Sequence, residues 1–238
     1  MQEPEDEARE MTFQPAQLAI HESDAALATC VAERVADLAA QAIAIRGEFR
    51  LALAGGETPR RCYEQLRYLP VNWAHVQVFF GDERCLPRGD KQRNDTMAYA
   101  TLLDHVAIPP ANIHTIAAEY GAYDAARNYA MLLNDYAPLD LVLLGLGEDG
   151  HTASLFPGNP ATELSDAAVA VFDAPKPPPQ RVSLGLHTLQ RAQHRIFLVT
   201  GAGKRAALQA INDGASLPAA RVGLSEWHID RAAMPEFY

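Results

Sequence analysis

A cluster of polar residues follows a short apolar segment near the middle of the chain, and its residue types suit proton transfer. Residues 139–144 are apolar apart from one aspartate, and three glycines fall among the next six positions. The polar side chains that follow are Asp149, His151, Thr152 and Ser154. Histidine exchanges a proton near neutral pH, and here it stands beside a carboxylate at the predicted end of a buried strand. We predict a catalytic loop in which His151 moves the proton, Asp149 is its partner, and Thr152 and Ser154 hold the loop.

Other chemistries are weaker hypotheses for this loop. Ser154 lacks the Gly-x-Ser-x-Gly frame that surrounds a hydrolase nucleophile. A metal site at Asp149 and His151 has no evident third ligand, and we predict no metal there. Cys85 adjoins a polar loop, where a nucleophilic role competes with the simpler interpretation of an incidental thiol. The histidines that we interpret as structural are His21, His75, His105, His114, His187, His194 and His228.

Glycine turns and cations follow three other predicted strands. They are Gly55, Gly56 and Thr58 after residues 49–54, Asp82 and Arg84 after residues 75–80, and Lys204 after residues 195–200. A strand, a glycine pair and a helix N-terminus together favour a bound anion, although glycine pairs also simply end strands. Arginine can hold a phosphate through its fork of donors. Arg181, on a proline-rich loop that also carries Lys176, is a further candidate.

An alternation of strands and helices would position these residues. Period-2 or unbroken apolar segments predict strands at 17–21, 49–54, 75–80, 139–144, 167–172, 195–200 and 224–229, with a weak strand at 112–116. Helical spacing predicts helices at 24–45, 59–66, 95–103, 123–136, 187–191 and 205–212. This order predicts an α/β protein with a mostly parallel sheet and helices on both faces. The carboxyl ends of such strands meet at one edge of the sheet, where ligands bind.

Composition narrows the class of protein. A net charge of −10 argues against a nucleic-acid or membrane-surface partner, while an anionic small ligand needs only a few local cations. No apolar segment approaches the length of a membrane span, and the first residues lack the layout of a signal peptide. Three widely spaced cysteines suit a reducing compartment, and we expect a cytoplasmic protein. We predict a disordered acidic tail over residues 1–15 and a single domain over 16–238, as a monomer or small homo-oligomer.

Several motifs resemble those of a known enzyme family. Residues 147–158, GEDGHTASLFPG, are similar to the signature of 6-phosphogluconolactonases. Gly81-Asp-Glu-Arg84, Gly55-Gly56 with Thr58-Pro59, the KPPPQRVS stretch from Lys176, and Gly201-Ala-Gly-Lys204 resemble the family's other motifs in the expected order. The resemblance spans about residues 17–231. The block at residues 147–158 is highly specific, whereas a glycine pair alone is not.

The resemblance implies a Rossmann-like α/β fold and hydrolysis of 6-phospho-D-glucono-1,5-lactone to 6-phosphogluconate, in the oxidative pentose phosphate pathway. It implies no metal or organic cofactor. Carried onto this chain, it makes His151 the general base that activates water, with Asp149 near it. It assigns phosphate binding to Arg84, Lys204 and the Gly55–Thr58 turn, and less directly to Arg181.

The chain also departs from the family pattern. The family often has serine at the positions of Ala54, Glu57 and Arg93, and we expect Glu57 to point to solvent. Two alternative functions remain open at this point. One is a glucosamine-6-phosphate deaminase of the same fold, in which different residues follow the histidine. The other is a non-catalytic sugar-phosphate sensor, which usually carries a DNA-binding helix-turn-helix, and we find no spare basic segment that predicts one.

Overall fold

The computed structural model describes residues 15–235. The acidic tail predicted for residues 1–15 lies outside the described residues except for Pro15 and stays a prediction. In the described part, no helix combines the length and apolar character needed to cross a bilayer. The predicted α/β class with a mostly parallel sheet is confirmed.

Strands and helices alternate along the described chain. The strands are β1 (Gln17–His21), β2 (Phe49–Leu53), β3 (Val76–Phe80), β4 (Asp82–Arg84), β5 (Leu141–Gly145), β6 (Ala168–Val171), β7 (Arg181–Leu184), β8 (His194–Val199) and β9 (Glu226–Asp230). The α-helices are α1 (Asp24–Arg46), α2 (Glu57–Leu66), α3 (Asn94–Thr101), α4 (Ala122–Tyr136), α5 (Leu186–Arg191), α6 (Arg205–Asn212) and α7 (Pro218–Arg221). Ser23 caps α1, where its hydroxyl accepts a hydrogen bond from the amide of Ala26.

Six parallel strands form the main sheet in the order β1-β9-β8-β5-β2-β3. The chain passes from β2 outward to β3 and then returns to place β5 on the other side of β2. The strand order therefore reverses between β2 and β5, and the loops that follow these two strands separate there. Such a switch point is where open α/β sheets form ligand crevices. Strands β2, β3, β5 and β8 are buried over consecutive residues, because helices and loops cover both faces of the sheet.

A second sheet lies beside the first and was not predicted. Its three strands are antiparallel, in the order β4-β7-β6. Gly81 joins the two sheets, because its amide donates to the Leu53 carbonyl and its carbonyl accepts from the Leu184 amide, each at 2.8 Å. The proline-rich segment connects β6 to β7, which pair with each other. This sheet carries Arg84 and Arg181 toward the carboxyl edge of the main sheet.

The weak strand predicted at residues 112–116 is wrong. This segment forms one isolated parallel bridge, between Ile113 and Val78, and does not extend the sheet. The preceding residues form a short 3-10 helix that contains Pro110. Proline lacks an amide donor and interrupts a ladder, so β3 remains an edge strand with only this bridge beside it.

Candidate active site

A cavity of about 400 Å³ opens at the carboxyl edge of the main sheet, at the switch point between β2 and β5. Its volume suits a small metabolite. The predicted site residues that line it are Gly55, Gly56, Asp82, Arg84, His151, Arg181 and Lys204. Asn94, Ala153, Lys176 and Pro177 line it as well. The cavity thus gathers residues from loops that are far apart in the sequence.

His151 and Asp149 form a hydrogen-bonded pair in the loop after β5. The Nδ1 atom of His151 contacts Oδ1 of Asp149, and the same carboxylate oxygen accepts the His151 amide at 3.2 Å. With the Nδ1 proton directed to the carboxylate, Nε2 keeps the free lone pair that a base requires. The imidazole packs on the ring of Phe156, with 4.5 Å between centroids. Asp149 does not line the cavity, and its contact with the cavity is through His151.

Gly147 makes room for this pair. A Cβ atom added at Gly147 would lie 2.0 Å from Nδ1 of His151 and 2.5 Å from Oδ1 of Asp149. Any larger residue would displace the imidazole or the carboxylate. The Gly147 amide also donates to the His151 carbonyl at 2.8 Å, which closes the loop. Of the three glycines noted in the sequence, Gly147 is therefore a steric requirement of the histidine–carboxylate pair.

Burial and charge act in opposite directions on this pair. Burial lowers the pKa of His151 below its ordinary value of 6.5, while the hydrogen bond to Asp149 and its charge raise it, and burial prevails. For Asp149, burial alone raises the pKa, but the hydrogen bond and charge of His151 bring it below its ordinary value. At neutral pH the pair is a neutral imidazole beside a carboxylate, which is the form that accepts a proton.

Asp82, the first residue of β4, anchors the loop that follows β5. Its carboxylate accepts the Ser154 hydroxyl at 2.5 Å and the Asn94 side-chain amide at 2.9 Å. Asn94 also fits closely against Gly55, where an added Cβ would lie 2.0 Å from the Asn94 side chain. Thr152 donates to the Gly145 carbonyl at 2.8 Å. Thr152 and Ser154 therefore hold the loop, as predicted, and Asn94 is a lining residue that the sequence analysis did not select.

Four cationic side chains line the cavity, against one carboxylate among the described lining residues. The cations are Arg84, Lys176, Arg181 and Lys204, and the carboxylate is Asp82. The cavity is thus locally positive in a chain with a net charge of −10. Burial lowers the pKa of Lys204, Lys176 acts in the same direction, and Glu148 opposes it. Lys176 is half-exposed and lies 3.9 Å from the Glu148 carboxylate.

Arg84 and Arg181 face each other across two paired strands. They are direct partners in the β4–β7 register. Like charges in this position repel each other, and an anion between them would relieve the repulsion. Arg181 is 5% exposed, its guanidinium donates to carbonyls of the proline-rich loop, and it lies over the Phe156 ring at 5.4 Å. The Nε donor of Arg84 is buried and meets no acceptor among the described residues.

Two residues of the predicted phosphate turn face elsewhere. The Thr58 hydroxyl is hydrogen-bonded to Thr200 at 2.6 Å and ties α2 to the end of β8, outside the cavity lining. Glu57 points to solvent, as predicted, and its carboxylate pairs with Arg60 and Arg61. The part of the turn that lines the cavity is therefore Gly55 and Gly56.

A group of buried charged side chains outside the cavity holds Asn94, which lines it. The Glu83 carboxylate accepts the amides of Asn94 and Asp95, at 2.7 and 2.8 Å, and so caps the N-terminus of α3. Arg93, with 1% of its side chain exposed, makes two hydrogen bonds to Asp95 and one to Glu119. It does not line the cavity. The arginine that departs from the family pattern is thus part of a buried ionic network that fixes Asn94.

The fold and the site together define the class of protein. It is a Rossmann-like α/β protein with a crevice at the switch point of its main sheet. Cationic side chains line this crevice together with a histidine that is paired with a carboxylate. The chain belongs to the family of glucosamine-6-phosphate isomerases/6-phosphogluconolactonase, whose family model matches residues 22–229. The predicted resemblance to this family is confirmed.

Known relatives cover nearly the whole chain. The 6-phosphogluconolactonase of Rattus norvegicus is 37% identical over 238 residues, which span 92% of this chain and 93% of the relative. That of Mycobacterium leprae is 36% identical over 222 residues, covering 84% and 90%. The solved structure of 6-phosphogluconolactonase from Trypanosoma cruzi superposes with a TM-score of 0.84 at 26% identity, covering 94% of this chain and 97% of that one.

Proposed function

We propose that this protein hydrolyses 6-phospho-D-glucono-1,5-lactone to 6-phosphogluconate, the second step of the oxidative pentose phosphate pathway. One observation carries the proposal: the histidine–carboxylate pair lies at a cavity lined by four cationic side chains. The names of the relatives at 36–37% identity support the same activity. A phosphorylated lactone needs both features, because its phosphate requires cations and its ester requires a base.

The chemistry assigned to His151 balances without a covalent intermediate. Nε2 takes a proton from water while the oxygen of that water bonds to the lactone carbonyl carbon. The bond from that carbon to the ring oxygen then breaks, and the imidazolium returns its proton to the ring oxygen. The product is a carboxylic acid, which ionises at neutral pH. Base catalysis of this kind contributes roughly 10²–10⁴-fold, and Asp149 stabilises the imidazolium that forms.

The phosphate is assigned to the cationic side of the cavity, where its charge fixes the lactone carbonyl relative to His151. The buried Nε donor of Arg84 meets no acceptor in residues 15–235 and can bind it, and Gly55 and Gly56 precede the N-terminus of α2. An anion would also offset the repulsion between Arg84 and Arg181. Lys204 is a half-buried cation in the loop that follows β8. No step in this account uses a metal or an organic cofactor.

Replacing Lys204 with alanine is expected to raise KM for the phosphorylated lactone about 10- to 100-fold, with a smaller effect on kcat. A hydrogen bond to a charged group contributes about 1.5–3 kcal/mol, and this one is made equally before and during the reaction. Steady-state kinetics would measure the change, with Lys91→Ala, an exposed lysine outside the cavity, as control. A KM equal to that of the unaltered protein would remove Lys204 from the phosphate site.

Replacing Asp149 with asparagine is expected to move the acidic limb of the pH–rate profile to lower pH and to reduce kcat. The base works as neutral imidazole, so the rate rises with pH through the pKa of His151. Asp149 raises that pKa, and removing its charge lowers the pKa further. The rate falls because nothing then fixes the imidazole tautomer. The dependence of kcat/KM on pH tests this, and an acidic limb that stays in place or moves upward would contradict it.

The specificity experiment compares two lactones on the purified full chain. We expect kcat/KM for 6-phosphogluconolactone to exceed that for unphosphorylated glucono-1,5-lactone by at least about 10²-fold, since two or more charge-assisted contacts are lost. Each rate is corrected for spontaneous hydrolysis at the same pH. Equal values for the two lactones would refute the phosphate site, and tight binding of 6-phosphogluconate without turnover would indicate a sensor instead.

A further inference from the structure

A second cluster of potential ligands lies at the β1 edge of the main sheet. His21 ends β1, Cys30 lies in the second turn of α1, and His228 lies in β9. One coordinating atom from each residue lies within 4.8 Å of the other two. The Nε2 atom of His21 and the Nδ1 atom of His228 face each other at 3.0 Å. These two strands are separated from β5 and its catalytic loop by β8.

We propose that His21, Cys30 and His228 bind a divalent transition metal of the zinc class, with a fourth position open to solvent. Imidazole and thiolate are the ligands that zinc prefers, at about 2.0–2.1 Å for nitrogen and 2.3 Å for sulfur. In a tetrahedron of these bond lengths, neighbouring ligand atoms lie roughly 3.3–3.6 Å apart. In the cluster the two imidazole nitrogens lie 3.0 Å apart and no two ligand atoms are more than 4.8 Å apart, so small side-chain rotations would complete the site.

The surroundings of the cluster fit a cation. His228 is 3% exposed, and its second ring nitrogen, Nε2, has no hydrogen-bond partner in the part of the chain that the structure describes. Its other ring nitrogen, Nδ1, is hydrogen-bonded to Nε2 of His21 at 3.0 Å, and a metal ion would take the place of that shared proton by accepting the lone pairs of both nitrogens.

Two carboxylates place negative charge near the cluster, where it favours a bound cation. Glu33 interacts electrostatically with Cys30, and Glu226 interacts with His228. Arg34, the neighbouring cation, donates two hydrogen bonds to the Glu226 carboxylate, at 2.7 and 3.0 Å, and its charge is thereby paired.

Bound metal would join the first strand and helix to β9, since His21 and His228 are 207 residues apart in the chain. His21 and Cys30 belong to the first strand and helix, and His228 belongs to the last strand of the sheet. A metal that binds the folded state and not the unfolded one stabilises the protein. The wide separation of the ligands explains why the cysteine pattern gave no indication of a metal. This site is independent of the proposed hydrolysis, which does not use it.

The test is a cobalt titration of the full-length protein after treatment with a chelator and its removal. Cobalt(II) substitutes for zinc and shows a thiolate-to-metal absorption band when sulfur is a ligand. We expect one equivalent of Co²⁺ to bind with such a band, Zn²⁺ to displace it, and Zn²⁺ to raise the Tm. Cys30→Ser should abolish the band, and His21→Asn should weaken binding at least about tenfold.

Cys85→Ser is the matched control, because Cys85 is another partly buried thiol outside the cluster. It should leave the band and the affinity unchanged. His21 and Cys30 are both partly exposed, so their variants should fold, which the denaturation midpoint in chelator would verify. The proposal is overturned if no one-equivalent site appears, or if the band persists in Cys30→Ser.

Discussion

Replacing His151 with glutamine is expected to lower kcat for lactone hydrolysis roughly 10²–10⁴-fold, equivalent to about 3–5 kcal/mol of transition-state stabilisation. Glutamine keeps a donor for Asp149 and much of the contact with Phe156, but it cannot take a proton from water. KM should stay nearly constant, because the cationic side chains of the cavity are unaltered. Steady-state kinetics corrected for spontaneous hydrolysis would measure both constants.

The control for this experiment is His187→Gln, which alters an exposed histidine on α5. It should leave kcat and KM unchanged. Binding of the product 6-phosphogluconate to His151→Gln, measured by calorimetry, would show that the phosphate site persists. If His151→Gln retained the full kcat, His151 would not be the general base, and another group at the cavity would have to activate water.

Replacing Arg93 with methionine is expected to lower the free energy of unfolding by about 3–5 kcal/mol. Methionine keeps most of the aliphatic stem but lacks the guanidinium group, so the cost arises mainly from the lost charge and hydrogen bonds, with a smaller part from the volume left empty. The change would leave Asp95 and Glu83 buried without their counter-charge, since Arg93 pairs with Asp95 and lies 3.8 Å from Glu83. Urea denaturation would measure it as a lower midpoint.

Arg60→Met provides the matched control for this effect. Arg60 also pairs with two glutamates, Glu57 and Glu64, but on the solvent-facing side of α2, where ion pairs contribute about 0–1 kcal/mol. A small change for Arg60 and a large one for Arg93 would show that burial sets the cost. If both variants had equal midpoints, the buried network would contribute no more than a surface pair.

The strands of the main sheet and the loops that follow them could be predicted because they depend on local patterns. A strand buried on both faces requires a largely apolar segment, and the segments before Gly55, Gly81, Gly145 and Gly201 are of this kind. Parallel strands then bring their carboxyl ends to one edge without further information. His151, Arg84 and Lys204 therefore reach one cavity by rules that act over a few residues.

The second sheet could not be predicted in the same way. β4 consists of Asp82, Glu83 and Arg84, which show no apolar alternation, and its partner β7 lies about a hundred residues further along. Burial of these charges depends on distant groups, such as Ser154 for the Asp82 carboxylate. The bond between Thr58 and Thr200, which are 142 residues apart, likewise depends on tertiary contact. For this reason the sequence could not show which residues of the phosphate turn face the cavity.

Lactone hydrolysis is tested most directly by the initial rate of acid release from 6-phosphogluconolactone by the purified chain, measured beside ammonia release from glucosamine 6-phosphate. We predict hydrolysis of the lactone well above its spontaneous rate and no ammonia release, because we propose His151 as the base and the cationic side chains of the cavity as the phosphate ligands. Ammonia release without lactone hydrolysis would assign the chain to the deaminases. A lactone rate equal to the spontaneous one would contradict the proposed function.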